Sequence, residues 1–269
     1  CKDDQMMMVV GTSSVLLALS ETGYSKNGVV SGIKGAILPD KFALESGLAA
    51  VGDMFGWFVD NCVSWECKQT ADEEGMDLHS WLTKEAAKLS PGGRGLIALD
   101  WWNGNKTPYV DGRLSGILVG CTLLTKPEEI YRALIEATAF GTRKILELFT
   151  ESGAEIHTII ASGGIAEKNP LLMQIYADVM NCEIRISATD QTAALGAAIY
   201  ASVAAGRERG GYETIQEAVT NMSHLKDAVY KPEAGAVEKY NGLYQMYCEL
   251  VKMFDPKKNT IMTRLSELH

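Results

Sequence analysis

The clearest indication of the fold is the sequence ASGGIAEKNPLLMQIYADVM, residues 161–180. It follows an apolar run that predicts a strand over 157–161, and after two glycines and a charged corner it predicts a helix over 170–180. A second strand is then predicted over 183–186 and a second helix over 192–205. This order, with its short connections, indicates an α/β domain in which helices cover a sheet.

The two glycines of this stretch raise the question of what comes close to the backbone, because adjacent glycines weaken the end of a buried strand. Gly163 and Gly164 have no Cβ atom, so a flat base or a ribose could lie against the main chain. Asn169 could cap the next helix or offer its amide to a purine. From these residues alone, a purely structural turn is an equally good interpretation.

The amino-terminal part of the chain predicts a β-hairpin. Residues 6–10 and 15–19 are short apolar runs separated by GTSS, which is typical of two strands joined by a tight polar turn. Gly11 would let the chain turn sharply, and the amides and hydroxyls of Thr12 and Ser13 could hold a terminal phosphate without a basic side chain. An ordinary β-turn explains the same residues.

Longer helices are predicted where apolar residues recur at spacings of three and four. Their ranges are 44–63, 71–89 and 127–153, the last closing with a left-handed cap at Gly153. Glu45 lies at the start of the first of these helices, and Gly52 interrupts it. A glycine inside a helix costs about 1 kcal/mol relative to alanine, so Gly52 indicates close packing or a ligand.

Composition narrows the function classes. The chain has 269 residues, a net charge of −9 and a pI near 5.1, which argues against nucleic-acid binding because phosphate-tracking proteins need clustered Lys and Arg. No apolar run approaches the roughly 20 residues of a membrane span. The histidines have no metal-binding spacing, so no metal ligand is assigned. Cysteines without a CxxC pair are interpreted as reduced thiols of a cytoplasmic protein.

The organisation of the chain is expected to be simple. Residues 1–206 are expected to form one domain, and residues 207–269 a mostly helical extension packed on it. The first residue is Cys rather than Met, and the apolar run MMMVV follows closely. We interpret this as a start inside a longer protein.

Taken in order, the motifs resemble the carboxy-terminal domain of the FGGY carbohydrate kinases, and within that family the ribulokinase group. The resemblance covers about residues 5–206 and runs through VVGTSS, LESGLAAVGDMFGWFV, GLIALDWWNGNKTP, SGGIAEKNPLLMQIYADVMNCEIRIS and TAALGAAIYASVAAG. It implies the actin-like, ribonuclease-H-like fold, a mixed sheet flanked by helices with a helical carboxy-terminal tail. In that family two such domains close over ATP and sugar. This chain resembles the second only, so a missing amino-terminal kinase domain is the implied partner.

The resemblance also implies roles for particular residues. The implied ATP-binding residues are Gly11, Thr12, Ser13, Gly52, Gly163, Gly164 and Asn169. Glu45 falls where ribulokinases carry a carboxylate that contacts the sugar. Lys106 stands where many relatives have an arginine, so a bidentate contact is not expected of it. The family's catalytic base and first phosphate loop precede the segment VVGTSS, so no catalytic residue is assigned in this chain.

The implied reaction is transfer of the ATP γ-phosphoryl group to a primary hydroxyl of a ketopentose, with L-ribulose as the leading substrate and Mg²⁺ bridging the phosphates. Another sugar or polyol, such as xylulose or glycerol, and a non-catalytic actin-like module that binds ATP are the alternatives. The fragment alone is expected to bind nucleotide weakly and to transfer nothing. Apolar residues near Trp57 and Trp101 are expected either to be exposed or to drive self-association into a homodimer.

Overall fold

The computed structural model describes residues 4–23 and 31–268, and a mixed sheet of seven strands forms its centre. The strands are β1 (Gln5–Val10), β2 (Ser14–Ser20), β3 (Ser31–Lys34), β4 (Phe42–Ser46), β5 (Ile97–Leu99), β6 (Ile117–Val119), β7 (Thr158–Ser162), β8 (Glu183–Ser187) and β9 (Leu225–Tyr230). The helices are α1 (Gly52–Cys62), α2 (Trp65–Glu73), α3 (Leu78–Ala86), α4 (Pro127–Glu151), α5 (Gly164–Lys168), α6 (Pro170–Met180), α7 (Thr192–Ala205), α8 (Ile215–Met222), α9 (Ala234–Met253) and α10 (Ile261–Ser266). The sheet has the order β3-β4-β2-β1-β7-β8-β9, and β5 pairs separately with β6.

The strand directions bring four loops to one edge of this sheet. β1 is parallel to β7 and β7 to β8, whereas β2 is antiparallel to both β1 and β4. β4 therefore runs in the same direction as β1. The carboxyl ends of β1, β4, β7 and β8 lie together at what we call the carboxyl edge. Ligands of open α/β sheets bind beyond the carboxyl ends of strands, so this edge positions the candidate site.

Alternating burial along β1 explains why this segment forms a strand. Met6, Met8 and Val10 are fully buried, whereas Met7 and Val9 are half-buried on the opposite face. The buried side chains share one hydrophobic core with the apolar faces of α1, α4 and α6. At about 1.5–3 kcal/mol for each large side chain fully buried, this core is the main driving force for folding.

Most of the predicted elements are confirmed. The hairpin consists of β1 and β2, and the strands predicted over 157–161 and 183–186 are β7 and β8. The helices predicted over 170–180 and 192–205 are α6 and α7. α4 ends as expected, because Gly153 follows it in the left-handed region with a φ of 89°.

The prediction of one helix over residues 44–63 is wrong in its first part. The segment Phe42–Ser46 is β4, which pairs with β2, and α1 begins only at Gly52. Glu45 therefore lies on a strand, and Gly52 is the first residue of a helix rather than an interruption within one. Pairing with β2 overrides the helical spacing because a neighbouring strand satisfies the backbone hydrogen bonds of this segment.

The helix predicted over residues 71–89 is also wrong as a single element, because it is divided between α2 and α3. Gly75 lies between the two helices with a φ of 68°, a conformation that ends a helix. The Asp77 side chain then accepts a hydrogen bond from the Ser80 amide at 3.0 Å and so caps the start of α3.

The carboxy-terminal tail is mostly helical, but it contains one strand that the prediction missed. β9 pairs antiparallel with β8 and becomes the edge strand of the main sheet. α9 packs against α4 and α6. Arg132 of α4 donates hydrogen bonds of 2.9 Å to Glu136 and to the Tyr240 hydroxyl of α9, and all three side chains are buried. A domain division at residue 206 stays a prediction.

α7 consists largely of small apolar residues, and most of them are exposed. Ile199 is buried, and the exposed Tyr200 donates a hydrogen bond of 2.7 Å to the carbonyl oxygen of Ile37. The other exposed residues of the helix include Ala193, Ala194, Ala197, Ala198 and Ala201. This helix therefore presents an uncovered surface on which a backbone could approach closely.

Three features are absent from residues 4–23 and 31–268, namely membrane-spanning helices, metal-binding clusters and disulfide bonds. No helix in these ranges has the length and apolar character to cross a membrane. The same ranges contain no group of three or more His, Cys, Asp or Glu side chains arranged to hold a metal ion. Their cysteines, namely Cys62, Cys67, Cys121, Cys182 and Cys248, are free thiols.

Candidate nucleotide and sugar site

The tip of the β1–β2 hairpin rests on the first turn of α1 through backbone hydrogen bonds. The carbonyl oxygen of Thr12 accepts from the amides of Val51 and Asp53, at 2.7 and 3.1 Å. The carbonyl oxygen of Gly11 accepts from the Gly52 amide at 3.0 Å. The first amides of a helix have no partner within the helix, so the hairpin tip satisfies the start of α1.

This contact directs the hydrogen-bond donors of the tip away from α1. The C=O and N–H of a trans peptide point in opposite directions, so the amides of Thr12 and Ser13 face away from the helix. In the part of the chain that the structure describes, neither these two amides nor the two hydroxyls have a hydrogen-bond partner. Two amides and two hydroxyls without a positive side chain suit a phosphate group.

Two glycines bring the β7–α5 turn and α1 against the same hairpin. Gly163 has a φ of 97°, and a Cβ atom on it would lie 2.4 Å from the carbonyl oxygen of Val10. A Cβ atom on Gly52 would lie 2.8 Å from the carbonyl oxygen of Gly11 and 2.9 Å from Cδ1 of Ile165 in α5. The hairpin tip, the start of α1 and α5 therefore meet at positions where only glycine fits.

Gly164 differs from its neighbour. It is the first residue of α5, a short helix that was not predicted, and it is exposed. A Cβ atom on it would meet no atom within 4 Å. Contacts within the protein thus explain the glycine at position 163 but not the one at 164, where an approaching ligand would have room.

Asn169 caps α6. Its Oδ1 accepts from the Leu172 amide at 2.9 Å, and its Nδ2 donates to the Thr83 hydroxyl of α3 at 3.3 Å. Of the two interpretations of this residue, capping is the one observed, and one amide hydrogen is left for another acceptor. The sequence carries no signal for the contact with Thr83, because no spacing rule connects residues so far apart. A purine contact of Asn169 stays a prediction.

Glu45 lies at the carboxyl edge beside the loop that carries Lys106. A contact between Glu45 and this loop was not predicted from the sequence. Oε1 of Glu45 is 3.9 Å from Nζ of Lys106, and the two side chains are 52% and 47% exposed. The adjacent hydroxyls of Ser46 and Thr107 are buried and hydrogen-bonded to each other. The structure thus brings a carboxylate and an ammonium group together from distant parts of the sequence.

The aromatic residues near this loop are only partly exposed. Trp101 is fully buried, with its ring edge-to-face against Tyr109 at 5.7 Å, whereas Val110 in the same loop is exposed. Trp57 of α1 is exposed and lies 5.7 Å from the half-buried ring of Trp102. Trp101 therefore anchors the loop, and Trp57 joins it to α1.

Asp100 lies just before this loop and is buried. Its Oδ1 accepts a hydrogen bond from the Tyr247 hydroxyl of α9 at 2.7 Å. A Cβ atom on Gly141 of α4 would lie 2.6 Å from its other oxygen. Burial raises the pKa of the Asp100 carboxyl to about 6, against the lowering effect of the hydrogen bond from Tyr247. Closed in by two helices, Asp100 supports the fold.

Comparison with known proteins identifies the fold family. The sequence profile of the FGGY family of carbohydrate kinases, C-terminal domain, matches residues 6–205. The chain belongs to this family. Curated relatives of this FGGY domain include the ribulokinases of Anoxybacillus flavithermus and Geobacillus thermodenitrificans, 49% and 48% identical over 97% of this chain and 46% of each relative. The chain thus spans about half the length of the curated relatives it matches.

Solved structures of a xylulose kinase and a glycerol kinase share the fold of this FGGY domain. The xylulose kinase from Rhodospirillum rubrum superposes with a TM-score of 0.79 at 24% identity, over 96% of this chain and 49% of that one. The glycerol kinase from Plasmodium falciparum with ADP gives a TM-score of 0.71 at 21% identity, over 91% and 46%. The likeness concerns the fold, and it confirms the expected actin-like architecture of a mixed sheet flanked by helices.

Proposed function

We propose that this FGGY domain is the nucleotide-binding half of an ATP-dependent kinase that phosphorylates a ketopentose, with L-ribulose as its first substrate. The observation that carries the proposal is that the β1–β2 hairpin, the start of α1 at Gly52 and the turn at Gly163 pack against one another, beside the open space at Gly164. A nucleotide needs an open backbone surface for its base and hydrogen-bond donors for its phosphates, and both lie at the carboxyl edge. The names of the ribulokinase relatives support the choice of sugar.

The hairpin tip would act on the transferring phosphoryl group by positioning and electrostatics. The amides and hydroxyls of Thr12 and Ser13 donate hydrogen bonds to phosphate oxygens, on which charge is spread in the transition state. The backbone bonds from α1 hold the tip in place, so these donors need not reorganise during the reaction. Gly164 would leave room for the purine or the ribose, and Asn169 would line the same pocket.

Mg²⁺, when bound with ATP, would neutralise phosphate charge. The described residues contain no group of three acidic or histidine side chains that could hold the ion alone. Magnesium sites in phosphate-transferring enzymes typically use one or two carboxylates together with the substrate phosphates. The phosphates of ATP would therefore contribute ligands to the ion.

The reaction would need a second domain. In the proposed kinase, that domain supplies the base that accepts the proton from the sugar hydroxyl and the first phosphate loop. α7 begins at the carboxyl edge, where the Thr192 and Ser162 hydroxyls are 3.0 Å apart, and its exposed small residues would allow close packing of the partner. Closure of the two domains would exclude water, so that ATP hydrolysis does not compete with transfer.

Binding of ADP to the chain tests the nucleotide site. Isothermal titration would compare wild type with Gly164→Val, because the open space at Gly164 accepts a side chain that would obstruct the ligand. Gly235→Val is the matched control, since Gly235 lies in the first turn of α9 and also has no atom within 4 Å of its Cβ position. We expect Gly164→Val to weaken ADP binding about tenfold or more, equivalent to about 1.4 kcal/mol, and the control to leave it unchanged. Equal affinity in all three proteins would remove the assignment.

The transfer reaction is tested by measuring ADP release from the protein that the complete reading frame encodes. L-ribulose, xylulose and glycerol are each offered with ATP and Mg²⁺, and we expect the highest kcat/KM for L-ribulose. A clear preference for another member of this panel would change the substrate. Retained ADP binding without transfer to any of them would instead favour the non-catalytic ATP-binding module.

A further inference from the structure

We infer that Lys106 is a specificity-determining residue for the sugar, forming with Glu45 a pair that holds one sugar hydroxyl between its two charges. The inference rests on the proposed function and specifies its substrate side. Its geometric basis is the position of the two groups side by side at the carboxyl edge. That edge also carries the hairpin tip, whose amides and hydroxyls are the proposed hydrogen-bond donors to the phosphates.

The separation of the two groups leaves room for a third partner. Their 3.9 Å distance exceeds the roughly 2.7–3.2 Å of a direct hydrogen bond, and both side chains are about half exposed. A sugar hydroxyl can accept a hydrogen bond from an ammonium group while it donates one to a carboxylate. A polyhydroxylated ligand is therefore the chemical class that fits this pair.

A second lysine–glutamate pair shows that the wide spacing is not simply a consequence of exposure. Lys84 and Glu74 are 49% and 38% exposed, close to the values for Lys106 and Glu45, yet their charged atoms approach to 2.7 Å. An ion pair on the protein surface can therefore reach hydrogen-bonding distance even when both side chains are this exposed. The charged atoms of Lys106 and Glu45 stay 3.9 Å apart, although hydrogen bonds fix the loop and the strand that carry them.

The loop that carries Lys106, residues 102–113, is closed on itself. Asn105 and Asp111 exchange two backbone hydrogen bonds of 3.0 and 2.9 Å across it. Gly104 packs so closely on Gly112 that a Cβ atom on Gly104 would lie 2.6 Å from the Cα of Gly112. These contacts give the loop a defined shape, so the direction in which it presents its side chains is also defined.

The 102–113 loop is also attached to the strand that carries Glu45. The hydroxyl of Thr107, next to Lys106, is hydrogen-bonded to that of Ser46, next to Glu45. Val110 in the same loop has a φ of 52°, which is rare for a β-branched residue and persists only where the surroundings impose it. The backbone segments that carry the ammonium and carboxylate groups are thus held next to each other by contacts within the protein.

Steady-state kinetics of the complete kinase test the inference, with the sugar and ATP varied separately. Lys106→Met removes the charge with little change in length, Lys106→Arg keeps the charge, and Lys84→Met is the control from a pair of similar exposure. We expect Lys106→Met to raise the KM for the ketopentose about tenfold while the KM for ATP stays within about twofold. Lys106→Arg should recover most of this loss, and the control should behave as wild type.

Deoxy analogues of the ketopentose add a readout that a merely structural lysine would not affect. The wild-type enzyme should lose about tenfold or more in kcat/KM for the analogue that lacks the recognised hydroxyl, and Lys106→Met should discriminate less against it. If the two residues share one hydroxyl, adding Lys106→Met to Glu45→Gln should lower kcat/KM little further.

The outcomes separate this inference from the proposed function. An unchanged ketopentose KM in Lys106→Met, unchanged discrimination against every deoxy analogue, or fully additive losses in the double variant would overturn the role of Lys106 alone. A wild-type enzyme that phosphorylates no sugar of the panel would overturn the proposed function and this inference with it.

Discussion

The proposed nucleotide side of the carboxyl edge, which comprises the hairpin tip, α1 and α5, and the proposed sugar side, which comprises β4 and the 102–113 loop, are built by different means. On the nucleotide side, the hairpin, α1 and α5 meet through backbone atoms, with Gly52 and Gly163 where a Cβ atom would collide. On the sugar side, β4 and the 102–113 loop meet through the side chains of Ser46 and Thr107. A backbone contact depends on the absence of a side chain, so substitution there disturbs the fold. A contact between side chains can be altered singly, so ligand preference can change while the fold remains.

The largest effect is expected where the backbone contact is closest, at Gly163. Gly163→Ala would hold an L-residue at a φ of 97° and place its Cβ 2.4 Å from the Val10 carbonyl oxygen. We expect the free energy of unfolding in urea to fall by about 3 kcal/mol or more. Gly164→Ala is the matched control, because its Cβ would meet nothing within 4 Å, and it should change stability by less than about 1 kcal/mol. Equal losses in the two variants would contradict the difference between these neighbours.

The difference between the two sides also explains what could be predicted from the sequence. The turn at Gly163 and Gly164 was predictable because strand, glycines and helix follow one another in a single stretch. The fold class was predictable for the same reason, since alternating strands and helices are local patterns. The prediction of a helix for the segment around Glu45 was wrong because pairing with β2, not local spacing, decides the structure there.

Other features depend on contacts that no local pattern encodes. The approach of Lys106 to Glu45 and of Asn169 to Thr83 joins residues from separate elements. β9 was missed because its residues are mostly exposed and lack an alternation of buried and exposed positions, so its pairing with β8 is its main support. The arrangement of strand, glycines and helix on the proposed nucleotide side was therefore largely predictable, whereas the approach of Lys106 to Glu45 required the structure.

The next effect concerns Asp100, which anchors the start of the sugar side. Its pKa of about 6 lies above the 3.8 of an ordinary aspartate. Between these two values the folded state keeps a proton that the unfolded chain has released, so the contribution of Asp100 to stability is fully present below about pH 4 and is lost as the pH rises through 6. At about 1.4 kcal/mol per pKa unit, the contribution of Asp100 to the free energy of unfolding decreases by roughly 3 kcal/mol over this range.

Asp100→Asn isolates this contribution, because asparagine does not titrate and can still accept a hydrogen bond from Tyr247. Urea unfolding at pH 4, 5, 6 and 7 would give the difference in unfolding free energy between wild type and variant at each pH. We expect that difference to move against wild type by roughly 2–3 kcal/mol between pH 4 and pH 7. A constant difference would mean that the carboxyl is not enclosed as described.

A smaller effect is expected from the hydroxyls of the hairpin tip. Thr12→Val and Ser13→Ala remove two of the donors but leave the backbone bonds of the tip to α1 unchanged. We expect the double variant to bind ADP about tenfold more weakly, while AMP, which lacks the distal phosphate, binds as in wild type. Calorimetry with both nucleotides measures the two affinities. An equal loss for ADP and AMP would indicate that the tip does not contact the distal phosphate.

The smallest effect on the chain itself is expected for Glu45→Gln. The Glu45 side chain is half exposed, and its partner Lys106 is beyond hydrogen-bonding distance, so we expect the free energy of unfolding to change by less than about 0.5 kcal/mol. The affinity for ADP should stay within about twofold, because the hairpin contacts do not involve this side chain. Urea unfolding and calorimetry check the two values. A loss above about 1 kcal/mol would mean that Glu45 supports the fold, as Gly163 does, and the proposed distinction between the sides would fail. If neither quantity changes, Glu45 supports neither the fold nor the nucleotide site, as expected of a residue whose proposed partner is the sugar.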